Sequence, residues 1–498
     1  MTDRKAAGML ILLAGAMYAA HAPSTWVGYI NDDAHYILLG QALLHGHYVS
    51  LALPDHPPVT TYPPVFPMLL APIVWLVRPH WAWLKLVPMT LTLASGALLW
   101  NVLGTWLRGG ARCLGLSLFL LNPLVLHHSS LLLAEPLFTV LLLSALIQFR
   151  RLMEHNDARD AWILGLIAGA LVLTRSAGAI AIPIFAAALL WLGRRRDAVR
   201  FAWPSLAMAA AFPIRNAWLA GEASGYAINW KISLSGAAHV APFLQHLNQL
   251  SNLLFVGGFL GIRLPYSTLG FVLNAALVAG VGVLLWMAFR SRPNRPSAGR
   301  ATFGATIGLL AGWCALHALW ATIEPHYAAP AMPLLAAGVA VGSGELWKIG
   351  PRARLACLLA GGLILGALTL RDIGVLRQDW AASRARTTCL PARTWRWIND
   401  NLPPNAFLLT AMDGQAALYT NRCAMSVLPS RDAAEFHDTL RRAGVTHILT
   451  RPRRMQYPGL DISFAWENDQ RWTASNPGAY RLAYQNPDEA TAVYEVRR

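Results

Sequence analysis

The apolar run AAGMLILLAGAMYAAHA (residues 6–22) and the acidic stretch NDDAHY (residues 31–36) decide how the rest of the chain is interpreted. A basic pair precedes the run and no convincing small-residue cleavage site follows it, so we interpret it as an uncleaved first membrane span. Two adjacent carboxylates, Asp32 and Asp33, then stand close to the point where the chain leaves the bilayer. Charged groups at a membrane boundary are costly enough to require a reason, and the most economical one is chemistry at the interface.

The composition is that of a protein that crosses a membrane many times. The 498 residues are 55% hydrophobic and 13% charged, and this charged fraction is about half of that in a soluble globular domain. The net charge of +16 would also suit a nucleic-acid-binding protein. The arginines, however, lie in short loops between apolar runs, where they act as an orientation signal. We therefore expect a lipid bilayer as partner and no nucleic acid.

Further apolar segments follow the first one. Prolines interrupt the short run 66–77, so an interfacial or re-entrant segment is expected there. The candidate spans are 83–107, 112–129, 133–149, 161–174, 179–193, 201–219, 269–289, 301–322, 327–346 and 355–370. With a cytoplasmic N-terminus, every arginine cluster between these spans falls on the inner side, as the positive-inside rule requires. The sequence thus predicts a membrane all-α bundle of about eleven transmembrane helices, with the C-terminus outside.

This topology divides the chain into two expected parts. Residues 1–370 form a transmembrane module, with large external loops at 24–82 and 220–267 and an external amphipathic helix over 34–45. Residues 371–498 form a small external α/β domain. The elements expected in this domain are helices over 394–401 and 432–443 and strands over 406–411 and 445–450.

Acidic side chains collect on the predicted external face. Asn31 or Asp32 can serve as N-cap of the helix over 34–45, and capping by one aspartate would fix the direction of the other. Glu135 stands at the outer start of a span, just before Pro136. It is either a capping acid stabilised by the helix N-terminus or a second acid facing the same cavity as Asp33, able to orient an acceptor or hold a divalent cation.

The same face carries cations close to the membrane, namely Arg175, Arg215, Lys231, Arg263 and His326. An anionic phosphate at headgroup depth needs several such groups, and arginine can bind it through two N–H donors. Contact with ordinary lipid headgroups is the simpler explanation for each cation taken singly. The adjacent His127 and His128 lack the spacing of metal ligands, and we interpret them as buried or interfacial histidines.

Five motifs, taken in order, resemble a known family. The first motif is the acidic pair Asp32–Asp33 together with the Tyr62-Pro63-Pro64 that follows it. The other four are Ala134-Glu135-Pro136-Leu137-Phe138, Leu173-Thr174-Arg175, Pro213-Ile214-Arg215-Asn216 and His326-Tyr327-Ala328-Ala329-Pro330. This order is similar to that of the integral-membrane GT-C glycosyltransferases, in the branch of the protein O-mannosyltransferases and aminoarabinose (lipid A) transferases. The resemblance covers about residues 1–345. The C-terminal part is similar, more loosely, to the soluble domain appended to such enzymes.

The resemblance implies an inverting transfer of a sugar from a polyprenyl-phosphate donor to a hydroxyl of a lipid, glycan or protein. The reaction would take place at the outer face of a bacterial cytoplasmic membrane, with the C-terminal domain periplasmic. The aspartate of the first external loop would be the base, and we favour Asp33 because Asp32 is better placed as a cap. Glu135 would be the second acid. Some relatives require a divalent metal, for which Asp33 and Glu135 would be the ligands.

The resemblance also implies a phosphate site. Its residues would be Arg215, Arg175, Lys231, His326, Tyr327 and Tyr62. Two of these positions depart from the family pattern, since some relatives carry a basic residue at position 62 and an arginine at position 326. A transporter or flippase of a lipid-linked sugar is the alternative function. Transporters usually place ionisable groups near the bilayer midplane, whereas those of this chain concentrate at one face.

Overall fold

A computed structural model of the chain describes residues 3–226, 240–254, 268–290, 297–320, 323–385, 390–426, 432–450 and 476–497, together with 456–457, 460–461 and 473. These residues form two compact units, and each is described by itself. The first unit comprises Met1–Pro23, Thr60–Phe66 and Lys85–Trp380, and the second comprises Ser24–Val59, Pro67–Leu84 and Ala381–Arg498.

Helices dominate the described residues. In chain order they are α1 (Asp3–His21), α2 (Asp32–Leu44), α3 (Val65–Val77), α4 (Leu86–Leu103), α5 (Gly109–Leu120), α6 (Pro123–His128), α7 (Glu135–His155), α8 (Ala158–Thr174), α9 (Ala181–Trp191), α10 (Arg195–Ala220), α11 (Val240–Ser251), α12 (Thr268–Arg290), α13 (Ala298–Ala318), α14 (Met332–Ile349), α15 (Pro351–Ala385), α16 (Ala392–Asn401), α17 (Asp413–Thr420) and α18 (Ala433–Ala443). Short 3-10 helices at Ser176–Ile180 and Pro325–Ala331 precede α9 and α14. Each predicted span coincides with one of these helices, except that the expected span 112–129 is broken into α5 and α6.

Among the described residues, six helical segments are long and apolar enough to cross a membrane. They are Asp3–Ser24, Trp81–Leu103, Glu135–His155, Ala298–Ala318, Pro325–Ile349 and Pro351–Gln378. Shorter apolar helices lie at Val65–Val77, Gly109–Leu120, Ser176–Trp191 and Asn274–Met287. The membrane character predicted from the sequence is therefore confirmed, whereas the count of about eleven transmembrane helices stays a prediction.

The core of the first unit lies between its helices. Leu, Phe and Ala side chains from α4, α5, α7, α8, α13 and α14 are buried together there. Polar caps fix where several of these helices begin. Asn122 accepts the amide N–H of Leu124 at the start of α6, and Asp157 accepts that of Arg159 at the start of α8. Such caps satisfy backbone donors that have no partner within the helix.

The second unit is built on a five-stranded sheet. Its strands are β1 (Phe407–Leu409), β2 (Cys423–Met425), β3 (His447–Thr450), β6 (Tyr480–Asn486) and β7 (Thr491–Val496), while β4 (Gln456–Tyr457) and β5 (Leu460–Asp461) form a separate pair. The order across the sheet is β2-β1-β3-β7-β6, with β1 parallel to both of its neighbours and β7 antiparallel to both of its own.

Helices cover both faces of this sheet. Successive side chains of a strand point to opposite faces, and β1 follows this rule. Leu408 packs with Trp395 of α16 on one face, and Leu409 packs with Phe436 of α18 on the other. The predicted α/β character of the C-terminal part is thus confirmed, although the predictions did not include α17, β2, β6 and β7.

The segment that carries Asp32 and Asp33 belongs to this second unit. The carbonyl oxygen of Ala52, in the segment that follows α2, accepts the amide N–H of Ala424 in strand β2. Leu38 of α2 packs with Ala52 and with Ala417 of α17. The division predicted from the sequence placed the whole first loop with the membrane helices and began the external domain at residue 371. In the structure, residue 371 lies within helix α15, which continues to Ala385.

The start of α2 decides between two expectations. Asn31 and Asp32 were both possible caps, with Asp32 favoured, and the structure has Asn31 at the N-cap position and Asp32 as the first helical residue. Asn31 has a φ of 71° and its side chain makes no capping hydrogen bond. Its amide group instead donates to Asp413 of α17, at 2.7 Å. The side chain of Asn31 thus makes a tertiary contact and does not cap the helix.

Candidate active site

A buried glutamate lies at the centre of the polar cluster in the first unit. Glu135, at the first turn of α7, is only 2% exposed and forms an ion pair with Arg175. Arg175 directly follows α8 and has an extended backbone conformation. Taking a carboxylate and a guanidinium out of water is costly unless they compensate each other, so each of these groups requires the other. The motifs around residues 135 and 175 are therefore in contact.

His326 joins this pair from the 3-10 helix Pro325–Ala331. Its Nε2 lies 3.6 Å from Oε1 of Glu135, and its Nδ1 lies 3.2 Å from Oε2 of Glu324. The imidazole is therefore placed between two carboxylates. The neighbouring Tyr327 ring lies beneath the Arg175 guanidinium, with 5.6 Å from Cζ to the ring centroid. Three of the five motifs thus meet at one place in the fold.

A small cavity of about 20 Å³ adjoins Glu135, which is room for one water molecule. Its polar lining comes from Glu135, His128, Thr139, Thr92 and Ser95. His128 is 3% exposed, its Nδ1 lies 2.7 Å from the Leu124 carbonyl oxygen, and its Nε2 has no hydrogen-bond partner among the described residues. The interpretation of His128 as a buried or interfacial histidine agrees with this burial.

A second polar group lies where α10 ends. Arg215 donates to the side chain of Asn216 at 2.9 Å, and Asn216 donates to the carbonyl oxygen of Thr60 at 3.4 Å. The α10 motif therefore lies against the segment that leads to the partly buried Tyr62. Lys231 and Arg263, the remaining predicted cations, lie outside the described residues.

Asp33 is held in a different way, by backbone amides of the second unit. It is 1% exposed, its Oδ2 accepts the N–H of Gly28 at 2.7 Å, and its Oδ1 accepts that of Ala34 at 3.0 Å. Burial raises the pKa of Asp33 to about 7, against the lowering effect of these amides, and the charge of Asp32 raises it further. A carboxyl with a pKa near neutrality is a candidate for proton transfer.

The burial of Asp33 also limits access to it. An acceptor hydroxyl would have to displace neighbouring groups to reach a side chain that is 1% exposed, whereas Asp32 is only partly buried at the same helix start. Each carboxylate oxygen has a second lone pair, so the amide contacts of Asp33 leave acceptor capacity. Geometry alone thus keeps both aspartates as candidates, while the pKa favours Asp33.

His35, two residues further along α2, is paired with Asp413 of α17. Helix α17 belongs to the C-terminal part of the second unit, from residue 390 onwards, which we call the sheet domain. The Nε2 of His35 lies 3.3 Å from Oδ1 of Asp413, which also accepts the amide of Asn31. Burial disfavours charge on His35, but the contact with Asp413 outweighs it and raises the pKa of His35. Burial likewise disfavours the charged form of Asp413, yet His35 and Asn31 hold the pKa of Asp413 below its usual range. Both pKa shifts favour the charged pair, in which His35 is protonated and Asp413 is ionised.

The residues that the resemblance implies as metal ligands do not fit that role. Glu135 pairs with a guanidinium, and Asp33 accepts backbone amides. Within the described part of the chain, no group of three or more His, Cys, Asp or Glu side chains is arranged to hold a metal ion. We therefore derive no step through a metal.

No family model matches the sequence, and neither does any curated protein. Solved structures do match. The crystal structure of ArnT from Cupriavidus metallidurans bound to undecaprenyl phosphate has a TM-score of 0.64 at 13% identity, over 98% of this chain and 97% of that one. The apo state of the same protein has a TM-score of 0.59 at 12% identity, over the same shares.

A third match is the cryo-EM structure of the arabinofuranosyltransferase AftD from Mycobacteria. Its TM-score is 0.50 at 16% identity, over all of this chain and 40% of that one. These identities are low, so the matches concern the fold. The fold of this chain is thus similar to that of ArnT over nearly the whole of both chains, and to that of part of AftD.

Proposed function

We propose that this chain is an inverting glycosyltransferase that moves a sugar from a polyprenyl-phosphate donor to a hydroxyl acceptor at the outer face of the bacterial cytoplasmic membrane. The observation that carries the proposal is the buried contact of Glu135, Arg175 and His326 within a bundle whose fold matches ArnT almost end to end. The structure of ArnT with undecaprenyl phosphate supports a lipid-phosphate donor. The N-terminus would be cytoplasmic and the C-terminal unit periplasmic.

The proposed reaction breaks the bond between the anomeric carbon and the phosphate oxygen. The acceptor oxygen attacks the anomeric carbon from the opposite side, which inverts the configuration there. The acceptor proton passes to Asp33, and the leaving group departs as polyprenyl phosphate. A positioned base of this kind contributes about 10²–10⁴-fold to the rate.

The phosphate of the donor would bind near Arg175 and Arg215. Negative charge develops on the leaving phosphate during transfer, and fixed cations at that place stabilise the transition state. A phosphate that reaches Arg175 would share the guanidinium with Glu135. We propose that Glu135 holds Arg175 in the orientation for this contact, and that His326, Tyr327, Tyr62 and Lys231 complete the site.

The test is transfer in proteoliposomes that contain the full chain and a synthetic polyprenyl-phosphate sugar with a radiolabelled sugar. We expect labelled acceptor, with inverted anomeric configuration, together with an equal amount of polyprenyl phosphate. Movement of the intact donor to the other leaflet with no new glycosidic bond would instead establish the flippase alternative. Mass analysis of surface glycans and lipids from a deletion strain would identify the sugar and the acceptor.

A further inference from the structure

A single peptide group connects helix α17 of the sheet domain to Asp33. The Tyr419 hydroxyl donates to the carbonyl oxygen of Val27 at 2.8 Å. The N–H of the same peptide group, that of Gly28, donates to Oδ2 of Asp33 at 2.7 Å. The peptide group is planar and rigid, so a hydrogen bond at its oxygen fixes the direction of its N–H. Bonds arranged in such a chain also polarise one another.

The next peptide group is held by the same helix. Gln415, one turn before Tyr419, donates its side-chain amide to the carbonyl oxygen of Gly28 at 3.2 Å. Gly28 has a φ of +94°, and a Cβ atom at this position would lie 3.2 Å from Cγ of Gln415. The positive φ and the close approach both favour glycine. Helix α17 therefore holds the turn before Asp33 at two consecutive carbonyl groups.

The Tyr419 hydroxyl is suited to act as a constant donor. Burial raises the pKa of Tyr419 further above its usual range, and the charge of Asp33 acts in the same direction. The hydroxyl is therefore protonated under all physiological conditions. The apolar contact of Leu38 with Ala417 also joins α2 to α17, so the experiments must separate a positioning role of Tyr419 from a structural one.

We propose that Tyr419 is a positioning residue for the carboxylate of Asp33, acting through the Val27–Gly28 peptide group. The sheet domain would then belong to the catalytic apparatus without contacting the substrates, because it sets the direction in which Asp33 meets the acceptor hydroxyl. This inference deepens the proposed function and rests on the assignment of Asp33 as the base.

The first test is a kinetic comparison of Tyr419→Phe with Tyr480→Phe in the full chain. Tyr480 is a buried tyrosine of the same domain whose hydroxyl lies 3.2 Å from His437, so it is a matched control for loss of a hydroxyl. We expect Tyr419→Phe to lower kcat about three- to tenfold, the effect of one lost hydrogen bond, with KM for the donor unchanged. Tyr480→Phe should leave both constants unchanged. Equal constants for Tyr419→Phe and the wild type would overturn the inference.

A double-mutant cycle separates positioning from a merely structural effect. In an Asp33→Asn background, Tyr419→Phe should no longer change the residual kcat, because the carboxylate that it positions is absent. An unchanged three- to tenfold loss in that background would show that Tyr419 acts elsewhere.

A thermal unfolding cycle of the same variants needs no activity. Tyr419→Phe and Asp33→Asn together should change the melting temperature by an amount that differs from the sum of the two single changes, whereas additive changes would contradict the contact. A wild type that transfers no sugar would refute the proposed function, and an Asp33→Asn variant with full activity would refute the assignment of Asp33 as the base. The unfolding cycle would still decide whether Tyr419 holds Asp33.

Discussion

Asp33 and Glu135 are both buried acids at the start of a helix, but the two compact units hold them by different means. Glu135 is compensated by the guanidinium of Arg175, and the imidazole of His326 lies 3.6 Å from the Glu135 carboxylate. Asp33 receives backbone amides from Gly28 and Ala34, and no Lys or Arg forms an ion pair with it in the described part of the chain. Glu135 thus has a partner that balances its charge, whereas Asp33 is held by the dipoles of backbone amides.

This difference separates the roles that the two acids can have. Burial without a countercharge disfavours ionisation, so Asp33 exchanges a proton near neutral pH, as a general base must. A carboxylate paired with a guanidinium is better suited to orient that guanidinium towards a phosphate. The comparison therefore supports the proposal that Asp33 is the base and that Glu135 orients Arg175.

The largest expected effect comes from Asp33→Asn. Removal of the base should lower kcat for sugar transfer by about 10²–10⁴-fold. Asp32→Asn is the matched control, because it removes the adjacent carboxylate at the same helix start, and it should lower kcat less than about tenfold. Transfer rates measured at saturating donor would give both values. The reverse result, with Asp32→Asn inactive and Asp33→Asn active, would move the base by one residue.

Glu135→Ala should mainly affect stability. It leaves the partly buried Arg175 without its carboxylate, and breaking a buried pair in this way costs about 3–5 kcal/mol of unfolding free energy. Glu345→Ala is a control in the same unit, because Glu345 pairs with the exposed Lys348, where less than about 1 kcal/mol is expected. Denaturant unfolding in detergent would measure both. Equal losses would show that Glu135 and Arg175 do not depend on each other.

Asp413→Asn tests the contact that ties α2 to the sheet domain. Loss of a charge-assisted hydrogen bond with His35 should cost about 1.5–3 kcal/mol. The pKa of Asp413 is lowered, so its contribution is lost as the pH falls through that value. The pKa of His35 is raised, so its contribution is lost as the pH rises through that value. The destabilisation should therefore be greatest between about pH 4 and 6.5.

The control for this substitution is Asp438→Asn in α18, which removes an exposed pair with Arg442. It should have little effect at any pH, since exposed ion pairs contribute little. Unfolding curves collected across this pH range would check both variants. A loss for Asp413→Asn that does not vary with pH would contradict the charged pair.

The pH dependence of transfer tests the state of Asp33. The base must be ionised, so kcat should fall about tenfold for each pH unit below the pKa of about 7. The free energy of unfolding should fall as the pH rises, whereas kcat increases. The folded protein binds the proton of Asp33 more tightly than the unfolded chain does, so the contribution of Asp33 to stability falls as the pH rises from about 4 to 7. In Asp33→Asn, this decrease of the unfolding free energy between about pH 4 and 7 should be absent.

The sequence predicted the helices of the membrane unit well. Long apolar runs and proline positions are local signals, and the start of α7 at Glu135 follows from Pro136. The predicted topology placed Glu135, Arg175 and His326 on the same external face, but it did not predict their contact, because contacts between distant segments leave no local trace. The same holds for α17, whose residues Asp413, Gln415 and Tyr419 carry no motif.

The cap of α2 shows the limit of local reasoning. Local chemistry left Asn31 and Asp32 as possible caps and favoured Asp32, but Asn31 takes that position and its side chain donates to Asp413, which lies far away in the sequence. The low pairwise identity to ArnT fits this picture, because the fold depends on apolar patterning that many residues satisfy. The few polar contacts then depend on individual side chains.

The central claim is that this chain makes a glycosidic bond by means of Asp33. The most direct test reconstitutes wild type, Asp33→Asn and Asp32→Asn in proteoliposomes with a polyprenyl-phosphate sugar and measures the polyprenyl phosphate released and the configuration of the product. The account predicts that wild type and Asp32→Asn release polyprenyl phosphate and yield an inverted glycoside, while Asp33→Asn yields about 10²–10⁴-fold less. Wild-type activity in Asp33→Asn, or an intact donor in every sample, would contradict it.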